Sequence, residues 1–183
     1  MKRKVKNKNS NGASAFIATV GALLRDMRAL GYSPTLVGGM ALVTLGSLRV
    51  TKDFDFLIET GARESKNFID AFYYHGFELA SKVDTSGHIV RTVNNAAVAL
   101  AKLGIDPVDS AYFFHHELGL RVDLLFDFPI SAKQVHERSH HRKIQSFSFY
   151  IANKEDLIQM KELAVQNRGL STDMQDLEFL KKM

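Results

Sequence analysis

The sequence contains no cysteine. Disulfide bonds and zinc sites built from thiolates are therefore excluded, and a reducing, cytoplasmic environment suits the chain. A long apolar run is also missing. The most apolar stretch near the N-terminus, residues 16–24, is too short to span a bilayer and is followed at once by Arg25 and Asp26. We expect no signal peptide, no membrane-spanning segment and no membrane partner.

Charge of one sign does not dominate, since the net charge is only +4 over 183 residues. The basic residues are nevertheless unevenly placed. One group lies in the first eight residues and a second in residues 136–143, HERSHHRK. Both groups can contact a nucleic-acid backbone, because Lys and Arg displace its condensed counterions. A solvated arm and an exposed helix end explain the two groups equally well.

A chain of this length holds one domain with a substantial core. Residues 1–12 are polar, basic and rich in asparagine, and we expect them to be disordered. Residues 13–183 form the predicted domain, with an α/β core over 13–151 and C-terminal helices over 152–183.

The predicted core alternates helices and strands, which favours a small mixed, twisted sheet flanked by helices. Helices are expected over residues 13–30, 40–45, 63–75, 86–105 and 131–140. Strands are expected over residues 35–37, 54–58, 77–79, 111–117, 120–128 and 143–151. A helical pair then closes the chain, the first helix capped by Asn153 and the second starting near Thr172 with a Thr-x-x-Gln capping box.

Asp53 and Asp55 are the most informative residues. They are spaced two apart at the start of an apolar strand, so both carboxylates point to one side of it. Two acids directed at one point repel unless a cation lies between them, and buried acids need protons, partners or a metal. Hard oxygen ligands favour Mg²⁺ or Mn²⁺ holding a nucleoside triphosphate. A plain strand-start acid is the alternative for Asp53.

Gly38 and Gly39 join the preceding strand to a short helix. Glycines at such a junction let a backbone approach a phosphate closely, although a tight turn explains them equally well. Arg49 and Thr51 lie just before the acidic strand, where both can contact phosphate. A pairing of Arg49 with a surface acid is the alternative.

The combination of Gly38-Gly39, a short helix, Gly46, Arg49, Thr51 and Asp53-Phe54-Asp55 resembles the minimal nucleotidyltransferases of the DNA polymerase β superfamily. It is most similar there to small bacterial AbiEii-like nucleotidyltransferases. The likeness touches residues from about 35 to 180, and residues 86–105 have no counterpart.

The resemblance implies a third catalytic carboxylate at Asp123, which follows Arg121 and Val122 on a neighbouring strand. It also implies that Lys161 binds the triphosphate. Lys161 and Arg168 share an otherwise apolar helical stripe, so we assign both to nucleotide binding. The alternatives are an ion pair between Asp123 and Arg121 or a nearby lysine, and a Lys161 that lies over the rim of the core. Asp173 and Asp176 match acids of the family, but we expect a structural role for them.

Several histidines raise the possibility of zinc, and His136 and His140 have a helical ligand spacing. No H-E-x-x-H pattern accompanies them, so we predict no zinc site.

The resemblance implies an α/β nucleotidyltransferase fold and a magnesium-dependent transfer of a nucleoside monophosphate from an NTP such as ATP to a hydroxyl or phosphate. A toxin or abortive-infection enzyme that modifies RNA, such as tRNA, or a protein, with an antitoxin partner, is the expected role. The alternatives are an antibiotic adenylyltransferase and a non-catalytic nucleotide-binding or interaction module on the same fold.

Overall fold

The structure, a computed structural model, describes residues 8–105 and 108–183. Within these ranges the chain forms seven α-helices, a short 3₁₀ helix over Thr60–Glu64 and eight β-strands. The helices are α1 (Lys8–Ala29), α2 (Gly38–Thr44), α3 (Lys66–Tyr74), α4 (Ala96–Ile105), α5 (Ala132–Glu137), α6 (Lys154–Arg168) and α7 (Ser171–Lys182). The strands are β1 (Thr35–Val37), β2 (Phe54–Ile58), β3 (Glu78–Val83), β4 (Ile89–Val93), β5 (Ser110–His115), β6 (Leu120–Phe126), β7 (His140–Ile144) and β8 (Phe147–Ile151).

All eight of these strands belong to one mixed sheet, in the order β4-β3-β5-β6-β2-β1-β8-β7. The pairs β2–β6 and β1–β8 are parallel, and the other neighbours are antiparallel. The predicted α/β class with a mixed sheet flanked by helices is confirmed. None of the helices in residues 8–105 and 108–183 is long and apolar enough to cross a bilayer.

The centre of the sheet follows the sequence pattern closely. The strands predicted over residues 35–37 and 54–58 have those bounds in the structure. Both are short apolar runs, and β1 is buried along its whole length. Aromatic side chains fill much of the core beside them, with Phe72 of α3 stacked on Phe113 of β5 at 3.9 Å between ring centroids. The central strands are therefore a rigid support for the side chains that β2 and β6 carry.

Helix α1 begins at Lys8, so the prediction of disorder up to residue 12 is wrong for residues 8–12. Residues 1–7 of the predicted tail lie outside the described residues. The apolar stripe of α1 packs against the core through Val20, Leu23, Leu24 and Met27. Once such a face is packed, adding a residue to the helix costs little, and polar residues then extend it.

The helix predicted over residues 86–105 is wrong for its first half. That half is β4, which pairs with β3 in an antiparallel hairpin. The turn is held by Asp84, whose Oδ1 accepts the backbone N–H groups of Ser86 and His88. Only the second half is helical. It begins at α4 after Asn95, whose side chain accepts the N–H groups of Ala97 and Val98.

The strand predicted over residues 143–151 is also wrong in its extent. A turn at Gln145, which has φ of 55°, divides it into β7 and β8. Helix α5 ends at Glu137, so His140–Lys143 form an exposed edge strand rather than a helix end. Alternating apolar residues predict strand conformation on both sides of a turn but do not reveal the reversal between them.

The C-terminal helical pair is present. Asn153 caps α6 as predicted, with its side chain accepting the N–H of Asp156 at 2.7 Å. The predicted capping box at Thr172 and Gln175 is wrong, because α7 begins at Ser171 after Leu170 and has no side-chain cap. Salt bridges with α6 and with the loop after α2 hold the start of α7 instead.

Replacing Gly21 tests the packing of α1 on β8. An added Cβ there would lie 2.2 Å from Cγ of Phe147. Gly21→Ala should lower the free energy of unfolding by about 1–3 kcal/mol, because the ring is too close to its backbone to move away. Gly104→Ala in α4 is the control, since nothing lies within 4 Å of its added Cβ. Urea unfolding that gives equal stabilities for the two variants would contradict this packing.

Candidate active site

Asp55 and Asp123 lie directly opposite each other on the neighbouring parallel strands β2 and β6. Their backbones are roughly 5 Å apart, and partners in register project to the same face of the sheet. The structure therefore brings these two predicted acids together. Asp53 is exposed just before β2, with its N–H donated to Thr51 Oγ1 at 3.3 Å.

Burial and nearby carboxylates raise the pKa values of both acids. Burial, together with the charge of Asp53, raises the pKa of Asp55. Burial also raises the pKa of Asp123 to about 7, although hydrogen bonds from Arg121 act in the opposite direction. The ionised form of both acids is therefore disfavoured mainly because they are buried, and the nearby carboxylates add to this.

Arg121 holds Asp123 with two hydrogen bonds. Its Nε lies 2.5 Å from Oδ1 and its Nη2 lies 2.7 Å from Oδ2. The guanidinium also lies 4.3 Å from the ring centroid of Tyr112, the residue opposite Asp123 on β5. The ion pair that the sequence offered as an alternative for Asp123 is thus present. Sequence reasoning missed Tyr112, because only the β5–β6 register reveals its position.

Each glycine of the predicted pair has a side chain of the site against it. An added Cβ at Gly38 would lie 2.1 Å from Oδ2 of Asp55, and Gly38 has φ of 62°. An added Cβ at Gly39 would lie 2.9 Å from Cζ of Arg49. The glycines therefore make room for an acid and a cation of the site, in addition to turning the chain from β1 into α2.

The three predicted nucleotide-binding cations are held by two buried acids. Asp173 accepts hydrogen bonds from Lys161 Nζ at 2.9 Å and from Arg168 Nε at 2.7 Å. Asp176 pairs with Lys161 Nζ at 2.7 Å and with Arg49. Burial alone would raise the pKa of Asp173, but the hydrogen bonds from Arg168 and Lys161 outweigh it and lower the pKa. The expected structural role of both acids agrees with these contacts.

These five residues form an ion-pair network that joins α6, α7 and the loop after α2. Lys161 is nearly buried, with 10% of its side chain exposed, whereas 59% of the Arg168 side chain is exposed. Arg49 pairs with an acid, as in its alternative interpretation, but that acid is buried in α7 rather than on the surface.

A cavity of about 500 Å³ lies between the two charged groups. Seven predicted site residues line it, and apolar side chains form part of the remaining wall. The predicted residues are Gly38, Gly39, Arg49, Asp55, Asp123, Lys161 and Arg168, and the apolar ones include Leu125, Phe128, Leu157 and Met160. Asp53 and Thr51 are not part of this wall. Within the described residues, no three His, Asp or Glu side chains converge as ligands of one metal ion.

A larger cavity of about 710 Å³ lies elsewhere, lined by residues of α1, the end of α3 and the end of β5. His75, His115 and His116 line it together with Glu78 and Glu117. We place the active site at the smaller cavity, because the carboxylates with raised pKa values and the cations meet only there. His136 and His140, which share a helical spacing in the sequence, lie on α5 and β7.

Neither protein-family models nor curated protein sequences match this chain. Solved structures do match it. The lincosamide antibiotic adenylyltransferase LnuA, crystallised with lincomycin bound, has a TM-score of 0.52 at 12% identity, over 90% of this chain and 95% of that chain. An antigenic nucleotidyltransferase-like protein from Paracoccidioides brasiliensis has a TM-score of 0.55 at 15% identity, over 90% of this chain and 74% of that chain. The chain therefore has the fold of these nucleotidyltransferase structures, as the sequence predicted.

Proposed function

We propose that the protein is a metal-dependent nucleotidyltransferase that moves a nucleoside monophosphate from an NTP to a hydroxyl or phosphate acceptor. The observation that supports it most strongly is the register of Asp55 against Asp123 beside a cavity whose opposite wall is cationic. An anionic ligand with its own divalent cation complements this arrangement, because the cation meets the acids and the phosphates meet the basic side chains.

The donor chemistry fits Mg²⁺ or Mn²⁺. Asp55 and Asp123 offer hard oxygen ligands, and a cation bound between them would offset the cost of burying their charges, which is the main cause of their raised pKa values. The charge of Asp53 raises both pKa values, but its side chain does not converge with the other two, so its place as a third ligand rests on the sequence resemblance. A bound divalent cation supplies charge neutralisation at the phosphates and a lower pKa for the attacking hydroxyl.

Arg49, Lys161 and Arg168 then orient the triphosphate. Arg168 is the most exposed of the three and reaches the cavity from the end of α6. A guanidinium binds two phosphate oxygens at once, as it now binds two oxygens of Asp173. Lys161 is fixed between Asp173 and Asp176, so its role is to keep this wall positive and rigid.

RNA is the acceptor that the surface favours. Strand β7 exposes His140, His141, Arg142 and Lys143 at the edge of the sheet. Ser14 of α1 accepts a hydrogen bond from Gln145 at the β7–β8 turn. Helix α1 therefore contacts the turn that follows the second basic group. A toxin role with an antitoxin partner, and a cytoplasmic location, are proposals that rest on the sequence resemblance and composition.

A small-molecule acceptor is the competing proposal, because LnuA is an adenylyltransferase of lincosamide antibiotics. Apolar residues of the cavity wall, including Phe128 and Met160, would suit a partly apolar acceptor. Incubation with each α-labelled NTP, Mg²⁺ and either total RNA, protein or lincomycin decides between the classes by where the label is found. No label in any fraction would contradict the enzyme proposal and leave a non-catalytic nucleotide-binding module.

Substituting the acids tests the catalytic proposal. Asp53→Asn, Asp55→Asn and Asp123→Asn should each lower the transfer rate by about a hundredfold or more, because each removes a ligand charge. The melting temperature of Asp55→Asn should not fall, since a neutral amide avoids the cost of burying a charge, which is the main cause of the raised pKa of Asp55. Asp70→Asn, at an exposed acid of α3, is the control. Near-normal transfer by Asp55→Asn would rule out the metal proposal.

Substituting the cations separates nucleotide binding from stability. Arg168→Gln should weaken NTP affinity by roughly tenfold, the cost of one charge-assisted contact, with little change in melting temperature. Lys161→Ala should instead lower stability by about 3–5 kcal/mol, because it removes the cation between two buried carboxylates. Lys182→Ala at the end of α7 is the control. If calorimetry finds equal NTP affinities for Arg168→Gln and Lys182→Ala, Arg168 does not bind the nucleotide.

Neutralising the basic edge strand tests the RNA proposal. Arg142→Gln combined with Lys143→Gln should reduce RNA affinity several-fold at physiological salt and lower the slope of log affinity against log salt by about 1–2. NTP affinity should not change. Lys181→Gln with Lys182→Gln removes the same charge at the far end of α7 and is the control. If the β7 variant keeps the RNA affinity and the salt slope of wild type, β7 is a solvated edge strand that does not bind RNA.

A further inference from the structure

The hairpin of β3 and β4, whose second strand lies in the residues without a counterpart in the family resemblance, reaches the candidate active site. Its register shifts twice, between Ala80 and Lys82 and between Lys82 and Val83. Such bulges bend a strand pair, and here the turn after β3 is brought to Arg121. The Nη1 atom of Arg121 donates a hydrogen bond to the carbonyl oxygen of Gly87 at 2.9 Å.

The same guanidinium therefore makes two kinds of contact at once. Nε and Nη2 bind the Asp123 carboxylate, and Nη1 binds the hairpin turn. The Tyr112 ring lies against its plane and restricts its movement. Because a guanidinium is planar and rigid, a rotation that releases Asp123 also displaces the hydrogen bond to Gly87.

We propose that Arg121 is a positioning residue that couples the β3–β4 hairpin to cation binding at Asp123. The proposal rests on the proposed function, in which a divalent cation binds Asp55 and Asp123. Arg121 occupies both oxygens of Asp123 in the structure. A cation that uses either oxygen has to displace part of this contact, and the hairpin turn is thereby loosened.

Coupling of this kind is reciprocal. If cation binding weakens the attachment of the hairpin, a ligand that weakens the attachment strengthens cation binding by the same factor. The hairpin forms the edge of the sheet on the β5 side of Asp123, so an acceptor that contacts the hairpin also acts on the metal site. Through Arg121, residues 78–93 influence cation binding although none of them is a ligand of the cation.

The test measures hydrogen exchange and Mn²⁺ affinity in the full-length protein without nucleotide. Wild type is compared with Arg121→Met, Arg121→Lys and Arg91→Met. Arg91 is the control, because it is an exposed arginine of β4 whose Nε contacts Ser81 rather than the active site. Hydrogen exchange is measured in peptides that cover residues 82–93. Mn²⁺ binding is measured by electron paramagnetic resonance of the free ion, and folding is checked by thermal melting.

In wild type, Mn²⁺ should speed exchange in the hairpin. In Arg121→Met the hairpin should exchange about tenfold faster without Mn²⁺ and not respond to it, since one anchoring hydrogen bond is lost. Mn²⁺ should bind Arg121→Met at least about fivefold more tightly, because no guanidinium competes for Asp123. In Arg121→Lys a positive charge remains beside Asp123, but the ammonium group cannot contact Asp123 and Gly87 at the same time. The hairpin of this variant should therefore exchange rapidly, while its Mn²⁺ affinity should stay nearer that of wild type.

The experiment distinguishes a failure of the coupling from a failure of the proposed function. If Mn²⁺ binds wild type and leaves hairpin exchange unchanged, or if Arg121→Met exchanges like wild type, the coupling is overturned and the proposed function stands. If Mn²⁺ binds neither wild type nor Arg121→Met, the metal part of the proposed function fails and the coupling fails with it. Should Arg121→Met not fold, Arg121→Lys decides by the same comparison, because it retains a cation beside the buried acid.

Discussion

The parallel pairing of β2 with β6 is the constraint on which the site depends, because it places Asp55 and Asp123 side by side at the edge of the core. Two carboxylates in this position repel, and burial raises both pKa values further. The neighbouring residues accommodate the two carboxylates by pairing with them or by leaving space for them. Arg121 binds Asp123, and Gly38 leaves the space that the Asp55 carboxylate occupies. The fold holds this arrangement through strand pairing, so the electrostatic cost is offset by packing elsewhere.

A second pair of buried acids belongs to the ion-pair network beside the same cavity. Asp173 and Asp176 are compensated by Lys161, Arg168 and Arg49, and the pKa of Asp173 is lowered. The cavity is thus lined by two acids whose ionised forms are disfavoured by burial and by cations that pair with other carboxylates. Oppositely charged walls suit a ligand that carries both signs, which a nucleotide with a divalent cation does.

What the sequence could predict was mostly local. The bounds of β1 and β2 and the cap at Asn153 follow from short patterns, and the structure agrees with them. The predicted shared face of Asp53 and Asp55 is not seen, because Asp53 lies before β2 and outside the cavity wall. The division of β7 from β8 was not predictable, because strand propensity is the same on both sides of Gln145. Contacts between residues distant in the sequence could not be predicted either. The pairing of Arg49 with Asp176 depends on where α7 packs, which no spacing within the motif reveals.

The exposure of the cations indicates which of them can change partners. Lys161 contacts two carboxylates and is almost enclosed, so moving it would leave both acids buried and unpaired. Arg168 contacts one carboxylate from a largely exposed side chain, and water screens the cost of breaking that pair. A phosphate entering the cavity would therefore recruit Arg168 at little cost and leave Lys161 in place. Under the proposed function, Lys161 would therefore set the potential of the wall, and Arg168 would be the cation that contacts the ligand.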